Sequence, residues 1–481
     1  MKIVFSFLLS ILIITASAQQ SIAFEQKHPV GFYAKRIAIN QVREDIRFWI
    51  ETMEASHVNL YHTISKNQLL SLSNELLSNH TDSLNHTETV FLFSRLSAAL
   101  NEGHLGLVSS RITDSLYNNS LRFPFMIRKV EKESWRISYD LSAAQQLDMN
   151  DRITSINGIS IEELNKRYLR LFGGLDTWKH EQIGFYSRKL LFLDGIHSPF
   201  HIEAIKENGE KRSFTIDGFS RVQADSINRA LAAKMNSQGN KPYEFRFLSA
   251  HVGYLNYRSM RNDRSEPFEK FLDATFTRLN DSNAKGLIID LRENGGGDSQ
   301  LGELLLRYFN RKPYIFAGGM KWKISAAYKT FLKSQANYNE ADNRFYMNQK
   351  DGDTYVYLNK ELKKPEAKEP FFSGKVAFLI GTGTFSSANM LADGVVSYQL
   401  AKTFGEPTGE SPNDFGEMFN FMLPNSFIIA RGSTKMFTRA NKDEKDFGPV
   451  IPDVIVHPTD TDLKLKKDKV LETAVNWVLN Q

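Results

Sequence analysis

Two short segments of the chain combine residue types that can hold an oxyanion and attack a carbonyl group. The first is Asp290-Leu291-Arg292-Glu293-Asn294-Gly295-Gly296-Gly297-Asp298, with three consecutive glycines. The second is Gly381-Thr382-Gly383-Thr384-Phe385-Ser386-Ser387-Ala388-Asn389. Without Cβ atoms a glycine run lets backbone N–H groups approach a ligand, and a helix start favours negative charge. A phosphate or an oxyanion would suit such a loop. The first segment lacks both the spaced glycines of a dinucleotide fingerprint and the Gly-Lys-Ser/Thr ending of a P-loop, which disfavours the phosphate. A glycine cluster can also be a plain turn. Ser386 tips the balance, because a serine at a strand-to-helix turn has neighbouring N–H groups that can stabilise a tetrahedral intermediate.

The elements around these segments form an α/β pattern. Gly286-Leu287-Ile288-Ile289-Asp290-Leu291 and Val376-Ala377-Phe378-Leu379-Ile380 are apolar enough for strands buried on both faces, and helical spacing follows each. Val252-Gly253-Tyr254-Leu255-Asn256-Tyr257 is a further strand. Between the two segments, residues 322–368 are rich in Lys, Asp, Asn and Tyr without a clear period, which predicts a surface excursion or lid. Earlier, Ile46, Phe48, Trp49 and Ile50, then Leu69, Leu70, Leu72, Leu76 and Leu77, then Val90, Phe91, Phe93, Leu96 and Leu100 mark three amphipathic helices. The third stops at Asn101-Glu102-Gly103, before His104. Residues 113–220 switch to short β-like runs, including Arg152-Ile153-Thr154-Ser155-Ile156 ahead of an Asn157-Gly158 turn.

The N-terminus sets an expected compartment. Lys2 precedes an apolar run and then Ala16-Ser17-Ala18, a secretory signal peptide spanning 1–18, too short to be a membrane span. Its removal takes the formal net charge from +5 to +4, because Lys2 is the only charged residue in it. With no polybasic block, nucleic acid is not expected as a partner. The chain has no cysteine, which excludes a thiol nucleophile, disulfides and lipidation through cysteine. His197 and His201 have metal-like spacing, but Pro199 between them argues against a helix presenting both, and no metal or cofactor is expected.

Three blocks in order, Gly253-Tyr254-Leu255, Gly286 to Arg292 with the glycine triplet, and Thr384-Phe385-Ser386-Ser387-Ala388, resemble the family S41 serine peptidases. That group comprises C-terminal-processing, tricorn and interphotoreceptor-retinoid-binding-protein types. The resemblance implies a ClpP/crotonase-like ββα catalytic core over 221–481, with a helical N-terminal domain at 40–112 after a leader at 19–39. The stretch from Ser142 to Asn157-Gly158 resembles a PDZ domain, with Asn150 where a glycine is usual, and implies an inserted peptide-grasping β domain at 113–220.

Position by position, the resemblance implies Ser386 as nucleophile, with the Ser387 N–H and a glycine of the triplet, Gly296, as the oxyanion hole. Asn389 stands where the family often has Glu. After Gly405-Glu406-Pro407-Thr408-Gly409-Glu410, the lysine base of processing proteases is replaced by Ser411. The block Asn101-Glu102-Gly103-His104 instead fits the tricorn type, which implies His104 as general base. Its carboxylate partner is implied within Asp443-Glu444-Lys445-Asp446, with Asp446 favoured and Glu444 the alternative. The expectation is an exported serine endopeptidase acting on peptide or protein substrates. Its rivals are a non-catalytic binder of peptide or hydrophobic ligand on the same fold, and a Ser-Lys protease using Lys402 or Lys435.

Overall fold

The computed structural model describes residues 36–480 except 143, 224, 227–240, 250, 337, 460, 463, 464 and 466. The signal peptide expected at 1–18 and most of the leader lie outside the described residues. No helix among the described residues is long and apolar enough to cross a membrane.

A two-stranded ribbon, β1 (Ile37–Ala38) with β2 (Ser83–Leu84), accompanies α1 (Ile39–Ser56), α2 (Lys66–Ser78), α3 (His86–Ala98) and α4 (Arg111–Asn118). Ser65 and Asn85 cap α2 and α3 by accepting from the N–H groups of Gln68 and Glu88, so those starts are set locally. The apolar stripes of α1 to α3 meet in one cluster around Trp49, Met53, Leu69 and Phe93. Leu423, Ile428 and Ala430, from far along the chain, complete that cluster.

The next unit has β3 (Phe125–Val130), β4 (Trp135–Asp140), β5 (Arg152–Ile156) and β6 (Ile159–Ser160), then α5 (Ile161–Tyr168), α6 (Asp176–Leu193), β7 (Phe200–Ile205) and β8 (Lys211–Ile216). The strands run β3-β4-β5-β7-β8, with β6 paired to β5 through the Asn157-Gly158 turn, where both residues have positive φ.

The third unit carries both candidate loops. Its six-stranded sheet has the order β18-β15-β14-β11-β10-β9, built from β9 (Tyr243–Ser249), β10 (Val252–Tyr257), β11 (Gly286–Asp290), β14 (Lys375–Ile380), β15 (Lys402–Gly405) and β18 (Val454–Ile455). All five residues of β11 are buried, because α7 (Phe268–Asp281), α8 (Ser299–Leu306) and α11 (Ser387–Ser397) cover one face while α12 (Lys469–Leu479) covers the other. Strands β10, β11, β14 and β15 are parallel, so the loops leaving β11 and β14 emerge side by side at one edge.

The excursion at 322–368 is more regular than its composition suggested. Its first strand, β12 (Gly319–Lys323), and its last, β13 (Thr354–Leu358), flank α9 (Ala326–Lys333) and α10 (Glu340–Asn348). With β16 (Phe415–Met422) and β17 (Ile429–Thr438) these strands form a second sheet, β13-β12-β17-β16. The period was hidden because α10 has no fully buried residue and β13 is an exposed edge.

Candidate active site

The two loops interlock at the sheet edge. Phe385 N–H donates to Asn294 O at 3.0 Å, and Thr384 Oγ1 donates to Leu291 O at 2.8 Å. Buried Asn294 donates through Nδ2 to Tyr257 O and accepts the Gly296 N–H at 2.9 Å. Gly296 has φ +95°, and a Cβ there would stand 2.8 Å from Ser386 Cβ and 2.9 Å from Ser387 N. The triplet must therefore be bare where it passes the serine. Gly296→Ala should displace Ser386 as well as strain the backbone, lowering kcat by ~10²-fold with the fold retained, as steady-state kinetics beside thermal melting would show.

Ser386 stands at the N-cap of α11 with φ 53° and ψ −130°, a conformation that non-glycine residues rarely adopt. Such strain is held by its surroundings. Its N–H donates to Glu410 Oε2 at 2.5 Å, and Ser387 Oγ donates to Gly297 O at 2.6 Å. Asn389, one turn into α11, donates through Nδ2 to the Glu410 backbone carbonyl at 3.0 Å. The residue that differs from the family pattern thus positions Glu410.

His104 reaches this site from the loop after α3. Its ring lies 4.9 Å from that of Phe385, the residue before Ser386, and Trp178 of α6 stacks on Phe385 at 4.1 Å. Gly173 and Gly174 let this loop approach, since a Cβ on Gly173 would fall 2.5 Å from Glu102 N. His104 Nδ1 lies 2.9 Å from Glu410 Oε1 and 3.3 Å from Asp414 Oδ2. Among the described residues neither Nε2 nor the Ser386 hydroxyl has a hydrogen-bond partner, which leaves Nε2 as the nitrogen free to serve the serine. Burial acts against a charge on His104, but the Glu410 and Asp414 carboxylates outweigh it and push the imidazole up to about 10. Burial, with Asp414 beside it, pushes Glu410 up to about 8 against the pull of His104. For Asp414, burial is outweighed by hydrogen bonds with His104 and Glu410, which hold it below its ordinary value.

His104, Glu410 and Asp414 offer ligand atoms within 4.8 Å of one another, a set that a divalent cation could also use. The Asp414 contact at 3.3 Å has hydrogen-bond geometry and orients the imidazole, whereas Glu410 Oε1 stands 2.9 Å from Nδ1 as a charge contact without that alignment.

The model of peptidase family S41 matches residues 251–456, a stretch that holds both loops, Ser386, Glu410 and Asp414. Over that stretch the chain is similar to family S41 peptidases. His104 lies outside the matched stretch. Solved structures of similar fold cover more of the chain. Mature CPAF is 14% identical over 91% of this chain and 96% of that one, with a TM-score of 0.62. Mature CPAF complexed with lactacystin is 14% identical over 92% and 99%, with a TM-score of 0.63. No curated protein matches the chain.

The structure brings Ser386, Ser387, Gly296 and His104 together, and it turns the expected carboxylates elsewhere. Asp446 is ion-paired with Arg439, which also reaches Asp393 on α11. Arg439 is nearly fully buried and requires counter-charges, so it captures Asp446. Glu444 is half-exposed and lies 3.9 Å from Lys321. Glu410 and Asp414 take the place beside His104. Asp446→Ala should keep kcat/KM within about threefold of wild type, because Asp393 still faces Arg439 and no contact with His104 is lost. Parallel kinetics on Asp446→Ala and Asp414→Ala would check this.

Two further expectations change. The Gly296 N–H, expected in the oxyanion hole, is committed to Asn294, whereas the Ser387 and Gly297 N–H groups have no partner among the described residues. That leaves the Gly295 and Gly297 N–H groups of the triplet open among the described residues, and Gly297, whose carbonyl accepts from Ser387 Oγ, is the one tied to the serine turn, while Gly296 contributes clearance. Neither alternative lysine is available: Lys435 pairs with Glu417 at 2.6 Å, and Lys402 lies 3.8 Å from Asp453, which also accepts from Thr403.

Proposed function

We propose that this chain is an exported serine endopeptidase that cleaves peptide bonds through an acyl-enzyme formed on Ser386. His104 Nε2 takes the Ser386 hydroxyl proton as the oxygen attacks the carbonyl, while Glu410 and Asp414 hold the opposite nitrogen and balance the imidazolium. The Ser387 and Gly297 N–H groups receive the oxyanion. As the intermediate collapses, Nε2 returns the proton to the departing amine. Water, deprotonated by the same nitrogen, then releases the acyl group and regenerates the serine. No step calls for a cofactor. The observation that carries this reading is His104, packed on Phe385 beside Ser386 with Nδ1 turned to two carboxylates.

The domain plan fits this chemistry. The 221–481 region is a ClpP/crotonase-like ββα core, and 113–220 is a PDZ-like module that grips an extended segment of substrate by adding a strand. The helical domain at 40–112 delivers His104. The signal peptide at 1–18 and leader at 19–39 place the mature enzyme in the periplasm or outside the cell.

One observation favours the binding-protein reading: an imidazole pushed up to about 10 is protonated at neutral pH and cannot accept the serine proton. Digestion of an unfolded protein substrate from pH 7 to pH 10 separates the two. The peptidase reading expects cleavage that grows with pH and vanishes in Ser386→Ala. Binding without cleavage across that range would support the binder.

A further inference from the structure

We propose that His57, at the end of α1, is a positioning residue for the His104 base. The proposal rests on the function above and adds a side chain that neither the motifs nor the site geometry placed in the chemistry. The His57 ring is completely buried, and its Nδ1 accepts the Asn59 N–H at 3.0 Å. The ring hydrogen therefore sits on Nε2, which lies 2.9 Å from Glu102 Oε1, a buried charge contact without hydrogen-bond alignment. Glu102 is also completely buried, and its second oxygen accepts from Ser433 Oγ of β17 at 2.7 Å. A buried carboxylate flanked by an imidazole and a hydroxyl holds one orientation.

That orientation governs the site because Glu102 is two residues from His104. Leu105 N–H donates to Glu102 O at 3.3 Å, and Gly173 packs against the Glu102 backbone. His57 also reaches the opposite side of the His104 contact. Its ring lies 4.6 Å from that of Phe415, whose N–H donates to Asp414 Oδ1 at 2.7 Å. One buried ring thus braces both the loop presenting the base and the strand start presenting Asp414. Two other routes are poorer: Ser433 Oγ reaches Glu102's carboxylate and Met418 Sδ, and His62, 4.4 Å from Phe415, contacts Asn59 O and meets Glu102 through charge.

The charged groups to consider in the test are Glu102 and His62 around His57, and Glu410 and Asp414 around His104. Burial holds His62 below its ordinary value, against the pull of Glu102.

The experiment compares His57→Leu, His57→Gln and His57→Asn by three readouts: steady-state kinetics, the NMR titration of the His104 ring, and thermal melting. Gln can place a donor near the Nε2 position, whereas Asn places one near Nδ1. The expected result is a ~10- to 100-fold fall in kcat for Leu and Asn at nearly unchanged KM, a His104 titration displaced from wild type, and recovery of most of both by Gln. Wild-type kcat and titration in folded His57→Leu would overturn the proposal. If Leu does not fold, equal values for Gln and Asn would overturn it instead. The titration is read without turnover, so a wild-type protein that proves inactive sinks the peptidase reading while the His57–His104 coupling is still decided.

Discussion

Replacing Ser386 by alanine lowers kcat/KM for peptide hydrolysis on the order of 10⁴- to 10⁶-fold, and His104→Ala does so to a similar extent. In the proposed mechanism the two groups perform one proton transfer, so the double variant should be scarcely worse than either single one. The residual rate comes from the Ser387 and Gly297 N–H groups and from substrate binding. Neither loss should come from unfolding. The Ser386 hydroxyl makes no hydrogen bond among the described residues, so alanine leaves no buried partner unsatisfied. Ser386→Gly is a useful companion: at φ 53° and ψ −130° glycine relieves strain, so it should be inactive yet at least as stable as wild type. Kinetics and melting on these four variants check the account, and a Ser386→Ala enzyme with more than about a tenth of wild-type activity would refute it.

The pH profile carries the second large effect. A base acts only when neutral, so kcat/KM for the free enzyme follows the unprotonated fraction of His104. With burial outweighed by Glu410 and Asp414, which push the imidazole up to about 10, that fraction is small at pH 7. The rate should therefore climb through the alkaline range, well above the ordinary histidine value of about 6.5. Asp414→Asn removes one negative charge and one acceptor from Nδ1, so the rising limb moves to lower pH. The same substitution weakens the balance of the imidazolium formed during attack, so the plateau falls. A limb near pH 6.5 in the wild type, unmoved by Asp414→Asn, would contradict the placement of these carboxylates. Glu410 is the less clean probe, because its second oxygen also accepts the Ser386 N–H.

The sequence exposes what is local. Ser386 at a strand-to-helix turn, the glycine triplet, the three helices before His104 and the Asn157-Gly158 hairpin all depend on neighbours within a few residues, and the structure places them accordingly. The carboxylates beside His104 were hidden because their contact joins a loop after α3 to one after β15. Glu410 stands directly before Ser411, which occupies the place of the processing proteases' lysine, while the family resemblance points to an acid nearer the C-terminus. Asp446 was plausible in sequence but is drawn away by Arg439, a buried cation whose need for counter-charge no local pattern displays. Residues 322–368 lost their period for a related reason: β12 pairs with β17, a strand far along the chain, and the helices between are largely exposed. Asn389, legible only as a departure from a family pattern, proves to hold the Glu410 backbone.

Labelling with a fluorophosphonate probe, followed by peptide mapping, tests the central claim most directly. The account predicts a single modification at Ser386 that quickens from pH 7 to pH 10 and disappears in both Ser386→Ala and His104→Ala. Folded wild-type protein that takes no label at pH 10, or labelling that persists at full rate in His104→Ala, would contradict it.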